Sequence, residues 1–589
     1  MDFEMYINNM KKPSDFMPTG STKELYLEII EKSVEAYNQD DLEERVKKHE
    51  NSTIEDIQAF SRLTCAIAAL IANGRKLHYY ELWQRMMDIC CRDSNKIKGN
   101  SMLDFSIKEI MLAFKLMQDK VPEDKRIYWL EELRKVDPYY NYYYTYDKVP
   151  NLHNINIYNM AGEYLRETEG LTSTEDYFDK HWPIQLEKFD CDGMYIDPGS
   201  PILYDVATRV QIQYILGFGY KGKYFDELDS KLKKGGLFTL FSQSSVFQLP
   251  YGGRSNQYQF NEALIAANAE YEAQRYKKLG DFKTAGAFKR CARLAAKSIL
   301  PWLEGFKPPK HIKNYYPIES KYGTEEYGYY DKYMITLGCF IYAAFLFADD
   351  SIEEYPCPAE IGGFVFETSS TFHKIFANCC GSSLEIDTKA DFHDDSTGLG
   401  RCHKTGFPSE LALSHPFTSK PSYFLPKSVT KRNISFCAGW EYKGKTLYLC
   451  ELSDGLEHEI NMNFITNERI CFAITYYGHA LKGCSAVKET YTLSAEGMRI
   501  ETQIIDPDCP RIHYMLPLFI DNGLQEAVID STTTSVSIKL SQYNLFIETN
   551  GSLQISKEQY GNRNGKYKLA EVISKNQSIN ILLKWRDEL

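Results

Sequence analysis

Residues Met334 to Ala348 read MITLGCFIYAAFLFA and are followed by Asp349-Asp350-Ser-Ile-Glu-Glu-Tyr-Pro356-Cys-Pro358. The apolar run is too short to span a bilayer and ends on two aspartates, which predicts a buried core helix. The acid- and proline-rich stretch behind it predicts a linker. From about 20 to 350 the chain reads as helix after helix, roughly a dozen, with apolar residues at helical spacing and Gly, Pro, Asn and Asp between them. Helices are expected near 53–73, 77–91, 104–118, 155–168, 202–217, 223–235, 259–278 and 281–299, among others. After about 355 the period changes. Ile434-Ser-Phe-Cys-Ala-Gly-Trp, Ile470-Cys-Phe-Ala-Ile-Thr-Tyr-Tyr and Met498-Arg-Ile-Glu-Thr-Gln-Ile-Ile are short, alternating or branched, and separated by glycine turns. The expected fold is α+β: residues 1–350 an (α/α)6-type toroid carrying the catalytic site, and residues 351–589 an antiparallel β-sandwich. Helix counting does not by itself prove that such a ring closes.

Composition narrows the partners. The net charge of -12 argues against nucleic acid or an anionic membrane as a main partner, but a basic pocket can still sit in an acidic protein. The 43 tyrosines offer an apolar face and a hydroxyl, which sugars need, although large helical folds also use Tyr at half-buried positions. The N-terminus MDFEMYINNMKKPSD lacks the pattern of a signal peptide, so a cytoplasmic protein with reduced thiols is expected. There is no P-loop, no dinucleotide fingerprint and no nucleophile elbow; neither a cofactor nor a metal is expected.

Four clusters could carry chemistry. Asp190-Cys-Asp192-Gly-Met-Tyr-Ile-Asp197-Pro-Gly runs into Tyr204, Asp205 and Arg209. Asp205 and Arg209 share a helix face, either as an intrahelical ion pair or as part of a site. Tyr251-Gly-Gly-Arg254-Ser-Asn256-Gln-Tyr258 combines a glycine pair, a bidentate arginine fork and hydroxyl-binding groups; Ser255 or Asn256 could equally cap a helix. Asn151-Leu-His153-Asn154 places a histidine beside a hydrogen-bonding asparagine at a helix entrance. Glu325-Glu326-Tyr-Gly-Tyr-Tyr330-Asp-Lys332 puts acids and tyrosines at a helix start, where the dipole also favours acids. In the β-rich half, His393-Asp-Asp, Arg401-Cys-His403 and Ser414-His415 read as loops able to reach over a neighbouring cleft.

In their order, Asn154 with its helix, Asp192-Gly-Met-Tyr-Ile-Asp197, Gly253-Arg254-Ser255 with Tyr258 and Phe260, and Gly328-Tyr-Tyr330 with Lys332 resemble bacterial proteins of domain-of-unknown-function family 2264. That family is related to glycoside hydrolase family 154, which includes exo-acting β-glucuronidases, and is similar in architecture to heparinase-like and alginate-lyase-like polysaccharide lyases. The resemblance covers most of 150–350. It implies an α-toroid followed by a β-domain, and an enzyme acting on an anionic oligosaccharide. The leading expectation is an exo-glycosidase that removes a terminal uronic acid. Two carboxyls from Asp192, Asp197, Glu325 and Glu326 would act as acid and base. Arg209 or Arg254 would hold the sugar carboxylate, with Asn154, Tyr204, Asp205, Asn256, Tyr258, Tyr330 and His415 about the sugar. The alternative is a lyase in which His153 or Tyr258 removes the proton α to a uronate carboxylate, while Asn154 and Arg254 stabilise the charge that develops. A third reading is a glycan-binding protein without turnover. No membrane partner is expected, and a homo-oligomer is allowed.

Overall fold

The computed structural model describes residues 1–509, 511–576 and 578–587. Six helices form its heart: Ile57–Ala72, Ser101–Met117, Asn154–Glu167, Ile202–Gly217, Phe260–Lys278 and Tyr330–Phe347. Each packs against the next, and the last returns to the first, so the ring is closed. These helices are buried on nearly every side; in Tyr330–Phe347 every residue from Tyr333 to Ala344 is buried. A helix apolar all round belongs inside. Helices Glu24–Glu35, Tyr80–Ser94, Glu123–Arg134, Glu175–Leu186, Phe225–Ser242 and Phe282–Glu304 lie outside them. Glu123–Arg134, for example, buries only Trp129 and Leu133. Side-chain caps define the N-terminal ends of two of the inner helices. Asp56 accepts from the Ala59 amide at 3.0 Å, and Asn100 from that of Met102 at 2.8 Å.

One helix runs further than its sequence suggests. The stretch expected to stop at residue 235 continues to Ser242 through Gly235-Gly236. These glycines permit close packing rather than ending the helix. A Cβ on Gly235 would lie 2.7 Å from Arg209 Cδ, and one on Gly236 would lie 2.7 Å from Glu272 Cγ.

Strands take over at Phe364. The first four, Phe364–Glu367, Lys374–Cys379, Ser382–Asp387 and Gly398–Lys404, pair in chain order as an antiparallel sheet. Part of the region read as loops is therefore strand, and His403 sits within it. The period of two divides this sheet between two cores. Phe364, Phe366 and Phe376 join the helical core, while Val365, Ile375 and Ala377 join the core of the β-region. The sheet is thus the seam between the two halves.

Beyond it lie an eight-stranded and a six-stranded antiparallel sheet. The eight-stranded sheet runs, in spatial order, Val528–Ser531, Ser535–Leu540, Tyr543–Thr549, Ser578–Asp587, Gly497–Ile505, Ala486–Ser494, Arg469–Tyr477 and Glu457–Ile465. Ile500, Ile547 and Leu583 from this sheet and Tyr514, Leu516 and Val572 from the other share one apolar core, as a sandwich requires. The fold is the expected one, an (α/α)6-type toroid followed by an antiparallel β-sandwich. Among the described residues no helix is long and apolar enough to cross a membrane.

Candidate active site

Closure of the ring has an electrostatic consequence. A cavity of about 340 Å³ is lined by the first turns of all six inner helices, through Gln58, Ser101, Asn154, Leu203, Phe260 and Lys332. Six helix N-termini therefore converge on one volume, each with a partial positive charge. Arg62, Arg254 and Lys332 add three full cations, and His153, Tyr204 and Tyr327 complete the polar wall. Met102, Phe105 and Phe340 supply an apolar surface. Among the described residues, no aspartate or glutamate lines this cavity.

The polar wall is built by four segments far apart in sequence, about His153, Tyr204, Arg254 and Tyr327. Asp197 is 1% exposed and sits behind it. Its carboxylate accepts from the Asn154 amide at 3.2 Å and from Arg254 Nη2 at 2.5 Å. His153 Nδ1 lies 3.0 Å from Asn154 Oδ1, and the Asn154 Nδ2 donor is buried without a partner. Arg254 also donates to the Pro198 carbonyl at 2.6 Å and lies 4.4 Å above the Tyr204 ring. Burial pushes the Tyr204 phenol above its ordinary pKa, while Arg254 and a hydrogen bond to Ser255 pull it back. The Tyr204 and Tyr327 hydroxyls each lie 3.0 Å from Ser255 Oγ, and Tyr333 lies at 3.5 Å.

The loop that carries Arg254 and Ser255 is held in an unusual backbone. Ser255 has φ 59° and Gln257 φ 68°, in the left-handed region. Gly253 lies so close to Pro201 that a Cβ there would meet the Pro201 Cβ at 2.6 Å. Both halves of the molecule hold the loop in place. The Ser255 amide donates to Glu325 Oε1 at 2.5 Å, and the Tyr258 hydroxyl to Glu325 Oε2 at 2.7 Å. Arg563, from the β-sandwich, donates to the same Glu325 at 2.6 Å. The Gly253 amide donates to Asp395 at 3.0 Å, and the Tyr251 amide to Glu385 at 3.0 Å.

Of the residues singled out in the sequence, His153, Asn154, Tyr204 and Arg254 meet on the cavity, with Asp197 directly behind them. The others lie elsewhere. Tyr258 is wholly buried and tied to Glu325, so its hydroxyl faces a carboxylate rather than the cavity. Glu325 is enclosed by Ser255, Tyr258 and Arg563. Glu326 is exposed outside the cavity. Asp192 turns toward the β-region, where its neighbour Asp190 accepts from the Ser369 hydroxyl at 2.7 Å; burial and then Asp190 raise its pKa. Asp205 and Arg209 form the intrahelical ion pair, both 0% exposed, with bonds of 3.0 and 2.7 Å. Asn256 bonds the Pro250 carbonyl at 3.2 Å, and the Tyr330 ring meets His311 edge-on. His415 is fully buried and bonds the Pro416 carbonyl at 2.7 Å.

Sequence reading missed Arg62 and Arg563 altogether. Arg62 stands in a helix whose pattern reads as core, and Arg563 lies far along the chain in a strand-to-strand turn. Lys332 and Tyr327 stood inside a quoted cluster, but nothing in their spacing singled them out.

Among solved structures the chain is similar to heparinase III, with a TM-score of 0.49 and 9% identity over 99% of this chain and 89% of that one. It is similar to a Streptomyces coelicolor A3 chondroitin AC lyase in complex with chondroitin sulphate, with a TM-score of 0.47 and 10% identity over 99% and 82%. It is also similar to a Paenibacillus xanthan lyase, with a TM-score of 0.48 and 11% identity over 95% and 60%. These scores are too low to transfer chemistry from residue to residue. No family model and no curated protein matches the chain, so the resemblance to family 2264 is not shown by these comparisons.

Proposed function

We propose that the protein is a carbohydrate-active lyase that cleaves a uronate-containing oligosaccharide by β-elimination. The observation that carries this reading is the make-up of the cavity: tyrosines, a histidine, an asparagine and three cations, with no carboxylate among the described residues. Most glycosidases work with two carboxyl groups flanking the bond, roughly 5–9.5 Å apart. Here Asp197 is committed to Asn154 and Arg254, Glu325 to Arg563 and Tyr258, and neither Asp192 nor Glu326 lines the cavity. A cavity of about 340 Å³ is at the small end of the roughly 300–1,000 Å³ range of ligand sites.

Each residue has a role in this chemistry. The unpartnered Asn154 Nδ2, with His153 beside it, binds the uronate carboxylate and takes up the charge that builds on it. Tyr204 removes the proton from the carbon α to that carboxylate. The electron pair left behind forms the ring double bond, and the bond from the β-carbon to the glycosidic oxygen breaks. Tyr204 then returns the proton to the departing oxygen. Arg254, over the Tyr204 ring, favours the phenolate that the first step needs. Tyr258 is not the base, because its hydroxyl is closed against Glu325.

The test is direct. With uronate oligosaccharides, product should appear with the near-ultraviolet absorbance of a conjugated double bond. Tyr204→Phe should slow it by about 10²–10⁴-fold, the usual contribution of a general acid–base group. New reducing ends without that absorbance would mean hydrolysis and end this reading; binding without any turnover would leave a glycan-binding protein.

A further inference from the structure

The cations of the cavity are not equivalent. Arg254 is neutralised by Asp197. Arg62 is 4% exposed and has no carboxylate partner among the described residues. Its Nη1 donates to Thr336 Oγ1 at 2.7 Å, its guanidinium lies 5.6 Å from the Phe105 ring centre, and its Nε donor is buried without a partner. Lys332 has a side chain 13% exposed, and its nearest carboxylate, Asp56, lies at 4.0 Å. Asp56 is already engaged, capping the Ala59 amide and accepting the Tyr329 hydroxyl. Burial lowers the Lys332 pKa, Asp56 opposes that, and the Arg62 charge lowers it further, so the two cations repel each other. Both stand on the cavity, near the N-terminal ends of the Ile57–Ala72 and Tyr330–Phe347 helices. Two like charges held together with little access to water, and with only Asp56 at 4.0 Å from the lysine as counter-charge, are unfavourable unless a further anion joins them.

We propose that Arg62 and Lys332 form a second anion station in the cavity, which receives a further anionic group of the substrate, a sulfate ester or a second carboxylate, on the sugar adjoining the uronate. This rests on the cavity being the saccharide site proposed above. The substrate is then a doubly charged pair of sugars, with one charge at Asn154 and His153 and the other at Arg62 and Lys332. The arginine offers a planar fork and the lysine a point charge, a combination suited to an oxyanion.

The experiment is calorimetric titration of the full chain with three disaccharides: a uronate–hexosamine, the same sugar with one sulfate ester, and a uronate–uronate. At least one doubly charged sugar should bind tenfold or more tighter than the singly charged one, and which of the two does so distinguishes sulfate from carboxylate. Arg62→Gln and Lys332→Gln should bring that ratio to within threefold of one, and Lys332→Arg should keep it. Circular dichroism melts check folding, and if Arg62→Gln does not fold, Lys332→Gln decides. Equal affinity for all three sugars, no binding of any, or a preference that survives both glutamine variants would overturn the inference. The readout is binding, so tight discrimination without ultraviolet-absorbing product would sink the elimination reading and leave this one standing.

Discussion

Two aspartate–arginine pairs lie close together in the Asp190–Arg254 region, and they have opposite characters. Asp205 and Arg209 are both 0% exposed, and every guanidinium nitrogen is engaged: Nε and Nη2 on Asp205, Nη1 on Asn268 at 2.9 Å, Nη2 also on Thr239 at 2.6 Å. Asp205 additionally accepts the Tyr195 amide at 2.8 Å. Asp197 and Arg254 are linked just as closely, yet the Arg254 side chain is 32% exposed and reaches the cavity over Tyr204. The first pair is closed and holds helices together. The second is half open and conditions a phenol. Residue type does not separate them; the exposure of the arginine does.

Substitutions at and around the two pairs separate their roles. Arg209→Met should cost about 3–5 kcal/mol of stability, because it strands the Asp205 carboxylate in the core. A chemical denaturation curve measures this, and a loss under about 1 kcal/mol would deny the closed pair its structural role. Arg254→Met also leaves a buried carboxylate, Asp197, without its cation, and should cost less stability than Arg209→Met because Arg254 is itself 32% exposed; it should reduce elimination by about a hundredfold, the lower end of what acid–base catalysis contributes. Its pH profile carries the sign. Burial already holds Tyr204 above its ordinary pKa and Arg254 pulls it down, so removing the cation raises it further. The rising limb of kcat/KM against pH should therefore move to higher pH; a limb that stays in place would mean that Arg254 does not tune Tyr204. The smallest effects belong to the acids outside the cavity. Asp192→Asn and Glu326→Gln should change turnover by no more than about twofold, as for substitutions away from a site. A hundredfold loss in either would return the hydrolytic reading to consideration.

Much of this was legible in the chain. The change from helical to alternating period near 355 follows from local rules, and the structure places its last long helix at Tyr330–Phe347 and its first strand at Phe364. His153, Asn154, Tyr204 and Arg254 were singled out because acids, aromatics and glycines crowd the turns before helices, where side chains meet a helix N-terminus. The same density misled for Asp205, Glu325 and Tyr258. Spacing of four puts Asp205 and Arg209 on one helix face, but does not say whether that face looks at solvent, a cavity or Asn268. The Tyr258 hydroxyl is taken by Glu325, 67 residues away, a distance over which no local pattern reports. Arg62 was silent for the same reason: its helix is nearly all apolar, so a single arginine reads as an oddity of the core.

Local rules thus specified the elements, their two classes and four of the side chains that front the cavity, His153, Asn154, Tyr204 and Arg254, because propensity, capping and hydrophobic period act within a few residues. Only the tertiary structure decided that the Tyr330–Phe347 helix closes back on Ile57–Ala72. That closure aims six helix N-termini at one volume, draws Arg62 and Lys332 onto it from opposite ends of the helical half, and leaves the carboxylates behind the wall. Such long-range juxtaposition is set by which buried faces pack together, and packing is a property of the whole chain rather than of any stretch of it.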